Sequence, residues 1–166
     1  MLAQIFIYSF LAAMLLAAAF DATRFRIPNW LAGGVALGFV LFLPFSGLSW
    51  VGMGLHLGAG FVALLLGMAL FAPGWIGGGD AKLFAAAALW FGWPGLSTFL
   101  LATLLAGGAL AIVLVMVREG LPRLVGEPGW VEGTLFARGA PVPYGIALAA
   151  GALWAAPQSW LAIAGI

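Results

Sequence analysis

The sequence predicts an all-α integral membrane protein of about six transmembrane helices, and three observations carry that prediction. Hydrophobic residues make up 65% of the chain and charged residues only 7%. A soluble domain carries about 25% charged residues, so this chain lacks the means to cover itself with a hydrated surface, and the bilayer must be its solvent. The apolar residues fall in stretches of helix length, and the charges fall between alternate stretches only. A hydrocarbon core about 30 Å thick takes roughly 20 apolar residues per helix. About six spans therefore fill residues 1–166 as a single polytopic domain, with no space for a separate soluble one.

The stretches lie at about 3–20, 30–45, 50–72, 81–93, 96–117 and 143–166. The first resembles a secretory signal in length, but signals carry positive charge ahead of the apolar run. Here Arg24 and Arg26 follow it instead, so it is read as a retained helix with its N-terminus outside. The second begins after Pro28 and Asn29, which are expected to shape and cap its start. The third contains His56, about six residues from its outer end and so roughly 9 Å deep; an interhelical hydrogen bond is the expected role. The fourth, Ala81 to Trp93, is short for a full crossing: either the bilayer thins there, or the turn before it sits below the headgroups beside protein or a water-filled cavity, and a re-entrant hairpin stays open. Trp93-Pro94-Gly95-Leu96 separates it from the fifth, and Pro157 is expected to kink or end the last. Gly34 with Gly38, and Gly54 with Gly58, place small residues on one helical face, as close helix packing in lipid requires.

The connections alternate in character. Residues 45–49 and 93–96 carry no charge. The other three connections hold Asp21, Arg24 and Arg26; Asp80 and Lys82; then Arg118, Glu119, Arg123, Glu127, Glu132 and Arg138. These are all the Asp, Glu, Lys and Arg residues of the chain, and a six-helix arrangement puts them on one side. Lys and Arg mark the cytoplasmic side, so both termini are expected outside. Glu119, Glu127 and Glu132 read as a solvated loop that could attract a basic peptide. The absence of cysteine excludes a disulfide framework, a zinc–cysteine cluster and a thiol nucleophile.

Asp21 ends the first helix, and Asp80 follows Gly77-Gly78-Gly79 at the start of the fourth. Taken singly, each has a bland reading as an interfacial anchor or a helix N-cap, and Asp80 fits an N-cap. Two carboxylates on one face, one of them behind three glycines, point instead to a coupled pair. Held close, they cannot both ionise and share a proton. One then acts as general base on water while its protonated partner polarises a carbonyl. Such proteolysis uses no metal, no cofactor and no serine or cysteine nucleophile. The glycines admit unusual backbone conformations and close approach of a substrate strand. They lack the Gly-Lys-Ser/Thr pattern of a phosphate-binding loop, and no nucleic acid is expected as a partner.

These residues resemble a known family. Asp21-Ala-Thr-Arg-Phe-Arg-Ile-Pro-Asn29 looks like the first catalytic segment of the prepilin peptidases, or type IV leader peptidases. Gly77-Gly78-Gly79-Asp80 looks like their second, the Gly-x-Gly-Asp signature shared with presenilin-type and signal-peptide-peptidase enzymes, and Pro143-Tyr144-Gly145 is similar to a third motif. The resemblance implies a multi-pass aspartyl endopeptidase of Gly-x-Gly-Asp architecture in the bacterial cytoplasmic membrane, with Asp21 and Asp80 catalytic on the cytoplasmic side. It makes Pro28, Asn29, Gly77, Gly79, Lys82 and Tyr144 site-supporting. Lys82 also reads as a headgroup anchor and Tyr144 as an interfacial aromatic. The implied substrate is a prepilin or pseudopilin with a short basic leader ahead of an apolar helix. The small size is most similar to the CpaA/TadV branch, which serves Flp-type pili. Larger relatives methylate the new N-terminus and carry a cysteine-bearing segment ahead of the first aspartate; with no cysteine here, methylation is not expected. Two other classes stay open at this point: an ion- or proton-coupled transport subunit, and a non-catalytic pilus or secretion assembly subunit.

Overall fold

The computed structural model describes residues 2–125 and 129–163, and these form helices with no strand among them. Helix α1 spans Leu2–Arg24, α2 spans Asn29–Phe42 and continues into a 3-10 turn at Leu43–Phe45, and α3 spans Trp50–Phe71. Helix α4 is assigned over Gly78–Val125, and α5 spans Tyr144–Ile163. Leu2–Arg24, Trp50–Phe71 and Gly78–Gly120 are long and apolar enough to cross a membrane. Large apolar side chains cover outward faces, among them Trp50, Phe61, Leu104 and Met116. Such a surface suits lipid and not water.

The fourth and fifth stretches are one helix by assignment, yet they do not run straight. Phe84 and Phe99 are 15 residues apart, about 22 Å along an ideal helix, but their ring centroids lie 5.8 Å apart. The chain doubles back at Gly92, which has φ 58° and ψ −174°. A Cβ there would sit 2.7 Å from His56 Nε2, so glycine is required by conformation and by space alike. Pro94, without an N–H, cannot carry the first limb's hydrogen-bond ladder across this point. The first limb, 78–91, ends in carbonyls with no intrahelical donor. His56 supplies one: its Nδ1 lies 2.7 Å from Leu89 O, the interhelical bond its position predicts.

Neighbouring segments alternate in direction. The first limb of α4 runs antiparallel to α3, since Gly67 faces Ala81 and Gly60 faces Leu89. It runs parallel to α2, with Asn29 beside Lys82 and Val35 beside Trp90. The second limb, 93–125, is antiparallel to α5, with Gly95 against Ser159 and Gly107 against Ala147. The turn at 25–28, the turn at 72–77 and the segment 129–143 therefore gather at one end, and every charged residue described lies there. The other end is aromatic: Phe10 and Phe42 stack on Trp90 at 4.7 and 5.4 Å, and Phe91 stacks on Phe99 at 4.6 Å. Trp90 Nε1 donates to Val35 O, so this ring is buried without an orphan donor.

Two expectations change in part. The last helix does not end at Pro157 but continues to Ile163. Of the paired glycines, Gly38 and Gly58 do meet Trp90 and Trp93, but Gly34 and Gly54 face open space; the closest helix approaches are at Gly60, Gly67 and Gly151 instead. The charged loop is solvated at its described glutamates, as expected, though not at every charge. Glu119 and Glu132 are exposed and Glu127 lies outside the described residues, but Arg118 is buried. Its Nη2 donates to Leu135 O at 2.7 Å and to Pro141 O at 3.1 Å, stitching the segment before α5 to the end of α4. Replacing Arg118 with Met keeps the bulk and deletes these charged donors. Since such bonds contribute about 1.5–3 kcal/mol, Arg118→Met should lower the thermal midpoint measured in detergent, and an unchanged midpoint would mean the stitch is dispensable.

Candidate active site

Asp21 occupies the last turn of α1 and is 5% exposed. Beyond Arg24 the chain turns sharply through Phe25, whose φ of 52° is left-handed for a residue with a Cβ. That conformation costs about 1–2 kcal/mol, and it is held by a bond from Phe25 N to Asp21 O at 2.9 Å. The turn throws Ile27 back across the end of the bundle, where it is buried. Asp21 Oδ2 accepts from the backbone N–H of Gly145 at 2.7 Å, 124 residues away in sequence.

Asp80 is not the N-cap of α4 but its third residue. Its Oδ2 accepts from Gly77 N at 3.2 Å, the backward reach of a capping box, which satisfies one of the orphan donors of the first turn. Its Oδ1 is buried and takes no hydrogen bond from the described residues. The two carboxyls are near enough to interact electrostatically. A single side chain links their surroundings. A Cβ on Gly79 would stand 3.1 Å from Ile27 Cβ and from Ile27 O, and one on Gly145 would stand 2.9 Å from Asp21 Cβ and 3.2 Å from Ile27 Cδ1.

The glycine run is not needed for an unusual backbone conformation, one of the two reasons expected. None of Gly77, Gly78 and Gly79 has positive φ. What excludes a side chain is proximity: to Ile27 at Gly79, and to the Asp80 carboxyl itself at Gly77, where a Cβ would lie 2.8 Å from Oδ2.

The structure thus brings Asp21, Gly77, Gly79 and Asp80 together. Pro28 and Asn29 lie alongside but do not cap α2 through a side chain: Pro28 is the N-cap residue, and the Asn29 side chain serves elsewhere, its Oδ1 accepting from Lys82 Nζ at 2.9 Å. Lys82 is exposed on another face of α4. Tyr144 packs its ring on Gly107 and leaves the dyad's flank to its neighbour. Sequence reasoning missed Ile27 and Gly145. Both stand inside segments the sequence marked, one in Ile27-Pro28-Asn29 and one in Pro143-Tyr144-Gly145, but neither carries a polar side chain that would signal its place beside a carboxylate.

A helical bundle with a lipid-suited exterior and two aspartates converging at one end defines a membrane-embedded protein with an acid pair. The profile of the Type IV leader peptidase family matches residues 8–112, well over half the chain, and includes Asp21, Ile27 to Asn29 and Gly77 to Asp80. The chain belongs to that family and is a peptidase of its class. No curated protein and no solved structure matches it.

Proposed function

We propose that this protein is an aspartyl endopeptidase of the cytoplasmic membrane, with Asp21 and Asp80 as its catalytic pair, removing basic leaders from Flp-type prepilins or pseudopilins without N-methylation. The observation that carries the reading is that buried Ile27 packs against both Gly79, the neighbour of Asp80, and Gly145, whose N–H binds Asp21, so two aspartates 59 residues apart in sequence share one end of the bundle. In the reaction, one carboxylate takes a proton from water as its oxygen attacks the scissile carbonyl carbon. The protonated partner donates to the carbonyl oxygen, and the tetrahedral adduct collapses as the C–N bond breaks and the leaving amine takes up a proton. Both carboxyls stand at helix ends, which favours this reading over proton-coupled transport, where carboxylates lie near mid-membrane.

An apolar helix can approach through lipid while its basic leader stays hydrated at the surface. The junction between them then falls at the depth of the pair. A helix hides its backbone in hydrogen bonds, and Gly weakens helix by about 1 kcal/mol relative to Ala, so a leader-side glycine suits cleavage. Purified enzyme in vesicles should cut a prepilin just before its apolar run and leave an unmethylated N-terminus, read by mass spectrometry. A leader-side Gly→Val change should stop processing. Cleavage in the middle of an apolar helix, or a methylated product, would contradict the proposal. Sidedness is tested separately: reporter fusions near Thr23, Gly79 and Gly129 should report cytoplasm, and those at both termini the outside. A cytoplasmic C-terminus would remove the six-span arrangement.

A further inference from the structure

Helices α2 and α3 both pack on the first limb of α4, and between them lies an open groove of about 420 Å³. Gly33 and Ala36 form one wall, Gly60 and Leu64 the other, and Ala85 and Leu89 the floor. The groove has unlike ends. Its mouth, at the charged end of the bundle, holds Asn29 and Lys82. One turn beyond its inner end, Phe39 and His56 stack at 5.6 Å and close it off. From Asn29 to Ala36 is about 10 Å of helix, a third of a hydrocarbon core about 30 Å thick. That is too short to seat a crossing helix, and it matches the upper part of one leaflet.

The charge at the mouth names the occupant. Lys82 Nζ donates to Asn29 Oδ1, which is a neutral amide, so the bond fixes the ammonium across the mouth without neutralising it. Two ammonium donors and the Asn29 amide N–H₂ remain for a ligand. A basic leader is repelled there; an anion is attracted. Basic pockets between helices on the cytoplasmic side are suited to acidic lipid headgroups. We propose that the groove binds one anionic phospholipid, its phosphate on Lys82 and Asn29 and the upper part of one acyl chain between α2 and α3.

The test is native mass spectrometry of the full-length protein released from nanodiscs of phosphatidylglycerol and phosphatidylcholine with identical acyl chains. Wild type should retain one phosphatidylglycerol with about a fivefold preference, the effect of one lysine near a membrane surface. Lys82→Gln should abolish the preference. Gly33→Leu, whose side chain would project into open space in the groove, should abolish retention of either lipid. Lys82→Gln leaves the packing untouched and decides the matter even if Gly33→Leu does not fold. Equal retention of the two lipids by wild type, or a preference that survives Lys82→Gln, overturns the proposal. Displacement of the lipid by a prepilin peptide would assign the groove to substrate instead.

Discussion

Asp21→Asn and Asp80→Asn should each reduce prepilin cleavage by about a thousandfold, within the range attributed to a positioned acid or base. The substitution keeps size and removes the ability to trade a proton, so insertion and melting temperature should hold. The two losses should be of similar size, because a pair that shares a proton has no independent halves. Product formation in vesicles, followed by gel and confirmed by mass, is the measurement. Near-normal turnover by either variant would remove that aspartate from the mechanism and leave the family membership standing.

The second large effect is expected at a residue with no side chain. Gly145 touches Asp21 twice, through its N–H at 2.7 Å and through a bare Cα where a Cβ would lie 2.9 Å from Asp21 Cβ. Gly145→Val must push either α5 or the carboxyl aside, and a displacement of about 1 Å in a reacting group costs around a hundredfold in rate. Gly79→Val should behave alike by displacing Ile27. Gly54→Ala is the contrasting control. That site opens on empty space, so activity should stay within about twofold, and the helix should gain up to about 1 kcal/mol. If Gly145→Val cleaves as well as wild type, the contact does not position Asp21.

Much of this was legible because lipid punishes error. Placing a charge in hydrocarbon is so costly that the charged connections alone sorted the segments into two ends, and Asp21 and Asp80 fell together. The chemistry of the pair could be read from residue type. What could not be read was packing. Whether a glycine is a hinge, a contact or a gap depends on what stands opposite, and nothing near Gly34 or Gly145 in sequence says that one faces open space and the other a carboxylate. The reversal at Gly92 was marked by Pro94, but the His56 bond that completes it spans 33 residues. The Arg118 stitch was hidden for a similar reason: a buried arginine bonded to carbonyls looks, in sequence, like any loop cation.

The contrast between the two ends of the bundle has an electrical consequence. A bacterial membrane stores a proton gradient, and a protein with acid groups in its interior could drain it if water reached them from both faces. Here the two carboxyls lie at the charged end of the bundle. Behind them stand the stacked rings of Phe10, Phe42, Trp90, Phe91 and Phe99, whose single N–H is already committed to Val35 O. On the proposed chemistry, protons for peptide hydrolysis would be exchanged with the charged end alone, and the enzyme would work in an energised membrane without short-circuiting it.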